Sequence, residues 1–449
     1  MLAATMLGMD ELFDLPPGER SQSQAEGPGR PRFQRPDRAQ LSLRPSDLDG
    51  LLPADHRARL VWAFVEGLDL EPLYASIRAL EGRPGRPPID PAILTALWLY
   101  ATLEGVGSAR ALDRLCEEHD AYRWICGGVS VNHHTLADFR VDYEELFDRL
   151  LTQSVAALIA EGLVRLERVA QDGMRVRASA GGGTFRGRDA LDAALRQAEA
   201  QVAALRAELD DDPAATSRRV AAARERAARE RAERARRALE RLPAIEARKA
   251  KPTYRGRRDR PADASTTDPD AQRMRFSDGG TRPAYNAQFA TDVGSQVIVG
   301  LDLVAETDQT QLRPMVDQLV GRYGRAPAEH LVDGGYSSRD AISHAAACGT
   351  TVYMPLSTPR NRTLDPHRRH FGDSPAVSAW RARMATDDAQ QIYRERASTA
   401  ECVNAIARNR GLTALRVRGR RKARAVLLWY ALAHNLLRAV SLRVAANAA

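Results

Sequence analysis

Between Pro45 and about Gly162, apolar residues recur at the three- and four-residue spacing of helices. DPAILTALWLYATLEG (90–105) is the clearest case, with Asp90-Pro91 as its start signal. SARALDRLCEEH (108–119) is a second amphipathic segment, and HTLADFRVDYEELFDRLLTQSVAALIAEG (134–162) reads as one long third helix. Short glycine-containing links separate them, so a compact all-α domain with room for a helix-turn-helix is expected. At Leu163 the period changes: LVRLERVAQDGMRVRASA alternates apolar and polar positions as a half-buried strand does.

After Gly181–Gly183, about 60 residues from Asp189 to Lys251 lack strand signals and are crowded with Ala, Arg, Glu and Leu. DDDP (210–213) divides them, which predicts two long helices folded as an antiparallel coiled hairpin. A polar linker (251–272) follows. PAYNAQFATD (283–292) and QVIVGLDLVAE (296–306) read as adjacent strands across Val293-Gly294-Ser295. Then come a helix (312–324), a short strand (EHLVD, 329–333), a helix (339–349), a strand (351–357), a basic loop (359–373) and a helical remainder from Thr386.

Three strands, a helix, a strand, a helix and a strand is the order of an RNase H-like α/β sheet. The expected architecture is therefore an α/β RNase H-like core with an α-helical N-terminal domain and an inserted helical hairpin. The boundaries are a disordered polar tail over 1–44, the helical domain over 45–162, the core over 163–186 and 252–449, and the hairpin over 187–251.

Bulk composition changes this picture little. The chain has 449 residues, 44% hydrophobic and 28% charged, which suits two or three globular domains. No stretch approaches about 20 apolar residues and the N-terminus does not resemble a signal peptide, so no membrane span is expected and the cytoplasm is the expected compartment. Cys116, Cys126, Cys348 and Cys402 form no CxxC pair and read as buried free thiols. The net charge of +8 suits a polyanionic partner. However, only three of the 66 basic residues are lysines, which with so many alanines reflects coding bias as much as function.

The candidate chemistry lies in carboxylates. Asp172 sits within the first core strand and is followed by Gly173; Asp333 ends a later strand and is followed by two glycines. Taken singly, each Asp-Gly is most often a turn. Carboxylates at the ends of neighbouring strands can instead converge, where mutual repulsion raises their pKa values unless a divalent cation is present. A third acid lies in QQIYRERASTAECVNAIARNRG (390–411). On an unbroken helix with Tyr393 at 0°, Arg396 falls at roughly 300°, Glu401 at roughly 80° and Arg408 at roughly 60°. Glu401 and Arg408 then share a face, and Glu395 at roughly 200° points away. The plainer reading is a solvated amphipathic helix with surface pairs worth little.

The run Tyr393-x2-Arg396-x4-Glu401-x6-Arg408 resembles the signature around the catalytic glutamate of DDE transposases of bacterial insertion sequences. VDGGYSS (332–338) and VAQDGMRVRASAG (169–181) resemble the segments around their second and first aspartates, and STTDPDAQRMRF (265–276) with 283–292 resembles the block between. GRPPIDPAILTALWLYA (85–101) and HTLADFR (134–140) resemble an InsH-type helical N-terminal domain. The likeness runs in order over roughly 45–440. Where relatives commonly carry Pro and an aromatic after the glutamate, this chain has Cys402-Val403-Asn404.

The resemblance implies a transposase that binds the ends of an insertion sequence, with Asp172, Asp333 and Glu401 holding two Mg²⁺ (or Mn²⁺) ions. Activated water would release a 3′-OH, which then attacks target DNA. It further implies that Tyr393, Arg396 and Arg408 contact DNA near the scissile phosphate, that the partner is double-stranded DNA, and that the protein works as a homodimer or higher oligomer in the bacterial cytoplasm, at the nucleoid. The alternative is a transposase-derived protein that binds element ends without cutting them.

Other residues weigh less. The basic run RVRGRRKARA (416–425), with Arg420, Arg421 and Lys422, either follows a phosphate backbone or is a solvated face. GRPGRPP (82–88) looks like a minor-groove hook but is commonplace in Arg-rich chains. His133 and His134 read as capping or surface residues, His330 as core or support for the site, Asp268 and Asp270 as turn formers, and Asp292 as a strand-end acid that could lie near the site. Tyr336 is either core or a stacking aromatic. The hairpin could dimerise, touch DNA or decorate the fold.

Overall fold

A computed structural model of the chain describes residues 47–77, 87–211, 218–250, 261–357 and 365–448. The N-terminal tail, most of GRPGRPP, the second half of the DDDP divider and much of the basic loop at 359–373 lie outside the described residues.

Residues 46–449 form one compact unit. Its helical part comprises α1 (Arg57–Glu66), α2 (Glu71–Tyr74), α3 (Pro91–Leu103), α4 (Ala109–Glu118), α5 (Asp120–Cys126), α6 (His133–Asp142) and α7 (Glu144–Ala160). Local chemistry sets their ends. Asp90 caps α3, with Pro91 in the first turn; Ser108 caps α4 and Asn132 caps α6, each through its side-chain oxygen. Gly127, in the left-handed conformation, stops α5. The long helix expected over 134–162 is two helices, broken at Tyr143, whose backbone (φ −109°, ψ 37°) leaves the helical region. The break lets Phe139 of α6 and Phe147 of α7 both pack on Trp429.

The core sheet holds β1 (Arg168–Arg177), β4 (Gln272–Arg275), β5 (Thr281–Asp292), β6 (Ile298–Val304), β7 (Glu329–Leu331) and β8 (Thr351–Tyr353). β2 (Phe185–Arg186) and β3 (Ala264–Ser265) pair separately. β5 lies antiparallel to β1, with Asp172 opposite Phe289 and Gly173 opposite Gln288. β4 and β6 pair along the other side of β5, while β7 runs parallel to β1 and β8 parallel to β7. The main path is therefore β6-β5-β1-β7-β8, three antiparallel strands followed by two parallel ones. The segment read as a polar linker contributes β3 and runs into the start of β4, two strands that short length and polar composition concealed.

Between the later strands run α10 (Leu312–Tyr323) and α11 (Arg339–Ala347). They are followed by α12 (Pro375–Arg383), α13 (Asp387–Arg396), a π turn (Ala397–Glu401), α14 (Cys402–Asn409) and α15 (Arg420–Ala448). The inserted helices are α8 (Arg188–Asp211) and α9 (Arg218–Ala250). Ion pairs Arg188–Glu246, Arg236–Glu199 and Arg206–Glu225 join them in antiparallel register. At the base, Leu191, Ala238, Leu242 and Ala264 form a small core.

By length and composition α15 could cross a membrane, an exception to the expectation that no such stretch exists. Here 67% of its apolar window is buried inside the fold, against α3, α7 and β6. It joins helices to sheet in one core. Asn435 acts on β6 as a substitute strand: its Oδ1 accepts from Ile298 N and its Nδ2 donates to Ile298 O, both at 2.8 Å. Asn435→Leu strands both backbone groups in an apolar setting, so we expect a loss of about 1–3 kcal/mol in urea unfolding. An unchanged midpoint would show that the clamp contributes nothing. All four cysteines are free, but only Cys126 is buried; the others are half-buried.

Candidate active site

Three separate elements deliver the acids to one place. Asp172 comes from mid-β1. Asp333 lies two residues beyond β7, not at its end, and caps a short 3-10 turn (Gly334–Tyr336) by accepting from Gly335 N at 2.8 Å. Glu401 closes the π turn. The three do not touch one another; they surround Arg396. Its Nη2 is 3.1 Å from Asp172 Oδ1 and 4.0 Å from Asp333 Oδ2, and its Nη1 is 3.1 Å from Glu401 Oε1.

The π turn explains why a helical wheel misplaces Glu401. A π turn holds about one residue more than an α turn, which rotates everything after it back by roughly 100°. Glu401 therefore swings from about 80° to about 340°, between Tyr393 and Arg396. Glu395, as expected, points elsewhere and pairs with Arg168 at 2.6 Å.

Burial raises the pKa of Asp172; Arg396 opposes the shift, and Asp333 and Asp308 add to it. Burial works to lower the pKa of the Arg396 guanidinium, but Asp172, Tyr393, Asp333 and Glu401 together hold it above its ordinary value. Tyr393 is half-buried beside this cluster, its phenol raised first by burial. Arg408 is exposed and makes no ion pair with the acids among the described residues. Arg420 is tied to Asp302 at 3.1 Å and to Leu303 O at 2.6 Å, whereas Arg421 and Lys422 stay exposed.

Two contributors went unseen in the sequence. Asn404 donates from Nδ2 to Asp172 Oδ2 at 2.9 Å, and its own Oδ1 is buried without a partner. Asp308, just after β6, accepts at Oδ1 from Asn286 Nδ2 (2.8 Å) and Gln288 Nε2 (2.7 Å). It fits because residue 173 is glycine: a Cβ there would sit 2.1 Å from Asp308 Oδ1 and 2.4 Å from Gln288 Nε2. Backing this are Gln171, bonded to Gln288 and His330, and Tyr336, whose hydroxyl donates to Gln288. His330 is fully buried, and that burial pulls its pKa down to about 3, so it supports the site as a neutral ring.

Gly173→Ala should force Asp308 and Gln288 apart from β1 at a cost of about 1–3 kcal/mol, with a correspondingly lower melting temperature. A variant as stable as the parent would show that the packing at this point yields freely.

Asp292, a possible neighbour of the site, instead caps the β5–β6 turn, accepting from Ser295 N and Oγ and from Leu166 N. Asp268 and Asp270 do more than form a turn. Asp268 is buried and accepts from Tyr285 and Gly419 N, and Asp270 pairs with Arg237 and Arg241 of α9 and caps Arg420 N. His133 starts α6 and pairs with Asp113.

The donor chemistry suits a hard divalent cation: three carboxylates gathered around one positive charge that the protein itself supplies. Among the described residues, the group whose possible ligand atoms lie within 4.8 Å of one another is a different one, Asp317 of α10 with His344 of α11 and Cys348 at its end; the three acids around Arg396 are spread more widely.

Two family models match the chain. "Transposase domain (DUF772)" covers residues 46–142, and "Transposase DDE domain" covers 348–440. Both matches support a DDE transposase of an insertion sequence. The first match coincides with the helical region and implies DNA binding. The second contains Arg396, Glu401 and Asn404, marks a nuclease-type transposase, and brings the expectation of an RNase H-like fold and a divalent metal. Asp172 and Asp333 lie outside both matched segments, so their place rests on the geometry above. No curated protein and no solved structure matches the chain.

Proposed function

We propose that this transposase is catalytically active, cutting phosphodiesters at the ends of its insertion sequence and joining the freed 3′-OH to target DNA. The observation that carries this reading is the convergence of Asp172, Asp333 and Glu401, from three distant elements, on the single guanidinium of Arg396. Acids that only made surface pairs would have no reason to meet.

In this reading Asp172, Asp333 and Glu401 hold two Mg²⁺ or Mn²⁺ ions. When bound, the ions supply a lowered pKa for attacking water and charge neutralisation on the phosphate. Asn404 orients Asp172, Asp308 fixes β1 from its other face, and Tyr393 flanks the acids. Arg396 balances the carboxylates before metal and DNA arrive, and its forked donors are then suited to a phosphate oxygen. The helical region 45–162 reads the element ends, the core 163–186 with 252–449 does the chemistry, and 187–251 is an insertion. The protein acts as a dimer or higher oligomer on DNA, in the bacterial cytoplasm at the nucleoid.

The test is cleavage of labelled duplex carrying the element's own ends. Mg²⁺-dependent release of a 3′-OH at the end, abolished by chelation, is expected. Tight binding of the ends with no cleavage in Mg²⁺ or Mn²⁺ would instead establish a DNA-binding derivative.

A further inference from the structure

A groove of about 1050 Å³ runs between the inserted helices, α6 and the segment leading into α15. Nine basic side chains and four acidic ones line it. Its two walls differ. On the hairpin wall the arginines are already balanced: Arg206 and Arg229 by Glu225, Arg236 by Glu199 and Glu233, Arg237 by Asp270. On the core wall, Arg140, Arg416, Arg418 and Lys422 make no ion pair among the described residues.

Arg140 is the unusual member. It is only 7% exposed, stacked 4.6 Å over Trp98, and donates from Nη1 to Gly107 O at 2.7 Å, while its Nε has no partner. Arg416 packs against the same Gly107, where an added Cβ would lie 3.7 Å from its Nε. Burial, and secondarily the charge of Arg416, lower the pKa of Arg140 to about 10. Two neighbouring cations, one of them buried, with no carboxylate between them are costly unless an anion completes the arrangement.

We propose that this groove seats the sugar-phosphate backbone of duplex DNA, with Arg140 and Arg416 as the anion seat and the inserted hairpin as the opposite wall. The proposal rests on the transposase reading and gives the insertion a role within it. The stretch of α9 from Arg229 to Arg237 that forms the opposite wall spans about 12 Å, the length of three to four phosphates at about 3.4 Å of rise each. Contacts of this kind position DNA without reading its sequence.

The test is fluorescence anisotropy over a range of salt with two duplexes, the element's own end and an unrelated sequence. It compares wild type with the triple variant Arg416→Ala/Arg418→Ala/Lys422→Ala. Expected are at least about tenfold weaker binding of both duplexes and a slope of log K against log salt that is shallower by about 2–3, at roughly 0.9 per lost phosphate contact. The charge-preserving variant Arg416→Lys/Arg418→Lys should keep the wild-type slope, and all proteins should melt alike. A benzophenone amino acid at position 203, on the hairpin wall, should crosslink to either duplex. Unchanged affinity and slope in the triple variant, while wild type binds, overturn the groove alone. Binding without crosslinking from position 203 overturns the hairpin's part in it. A wild type that binds neither duplex overturns the transposase reading as well.

Discussion

On the proposed reading, Asp172→Asn should leave a folded protein that still binds element ends but cleaves them at least about 10³-fold more slowly. The substitution keeps the shape of the side chain and one acceptor oxygen, so Asn404 Nδ2 retains a partner. It removes the negative charge that lies between β1 and the π turn, where Asp172 is mostly buried. Metal-based stabilisation of a phosphoryl transition state is worth several kcal/mol, and each 1.36 kcal/mol is a decade in rate. Single-turnover cleavage of a labelled end in Mg²⁺ measures it, with binding and melting followed in parallel. Near-normal cleavage would remove Asp172 from the chemistry and, with it, the case that these acids form one site.

Arg396→Met should act most strongly on the metal-free protein. It withdraws the only cation that the three acids share among the described residues and leaves Asp172, at 17% side-chain exposure, facing Asp333 and Glu401. Breaking a buried pair by removing one partner costs roughly 3–5 kcal/mol. Glu401 is 59% exposed and sheds part of its repulsion into water, so about 3 kcal/mol is expected. Mg²⁺ then replaces the lost charge, and its binding stabilises the folded state by mass action. The melting temperature of the variant should therefore fall sharply in chelator and recover with Mg²⁺ by more than wild type gains. Equal metal responses in the two proteins would show that Arg396 and the cation do not compete for the same carboxylates.

Much of this was legible before the structure. The change of period at Leu163 and the alternation along 283–306 located β1, β5 and β6, and Gly-flanked aspartates marked two of the three acids. What stayed hidden depended on contacts between distant residues or on departures from regular geometry. The wheel over 390–411 assumed an unbroken α-helix, and the π turn is invisible to a periodicity of 3.6. Asn404 reaches Asp172 across 232 positions of sequence. Asp308 matters only because Gly173 leaves it room, a relation neither residue announces alone. β3 and β4 are too short and polar to show alternation, and the break at Tyr143 is set by packing on Trp429, not by a helix-stopping residue.

The pairing of β2 with β3 has a consequence for how such a chain can change. Phe185 lies opposite Ser265 and Arg186 opposite Ala264, so the polypeptide departs for its long helical excursion and returns at adjoining positions. An excursion whose two ends are already joined puts little demand on its own length, since loop closure grows only logarithmically with added residues. The strand bearing Asp172 is thus insulated from insertions and deletions in α8 and α9. The arm can lengthen, shorten or be exchanged for another while the register of β1 stays as it is.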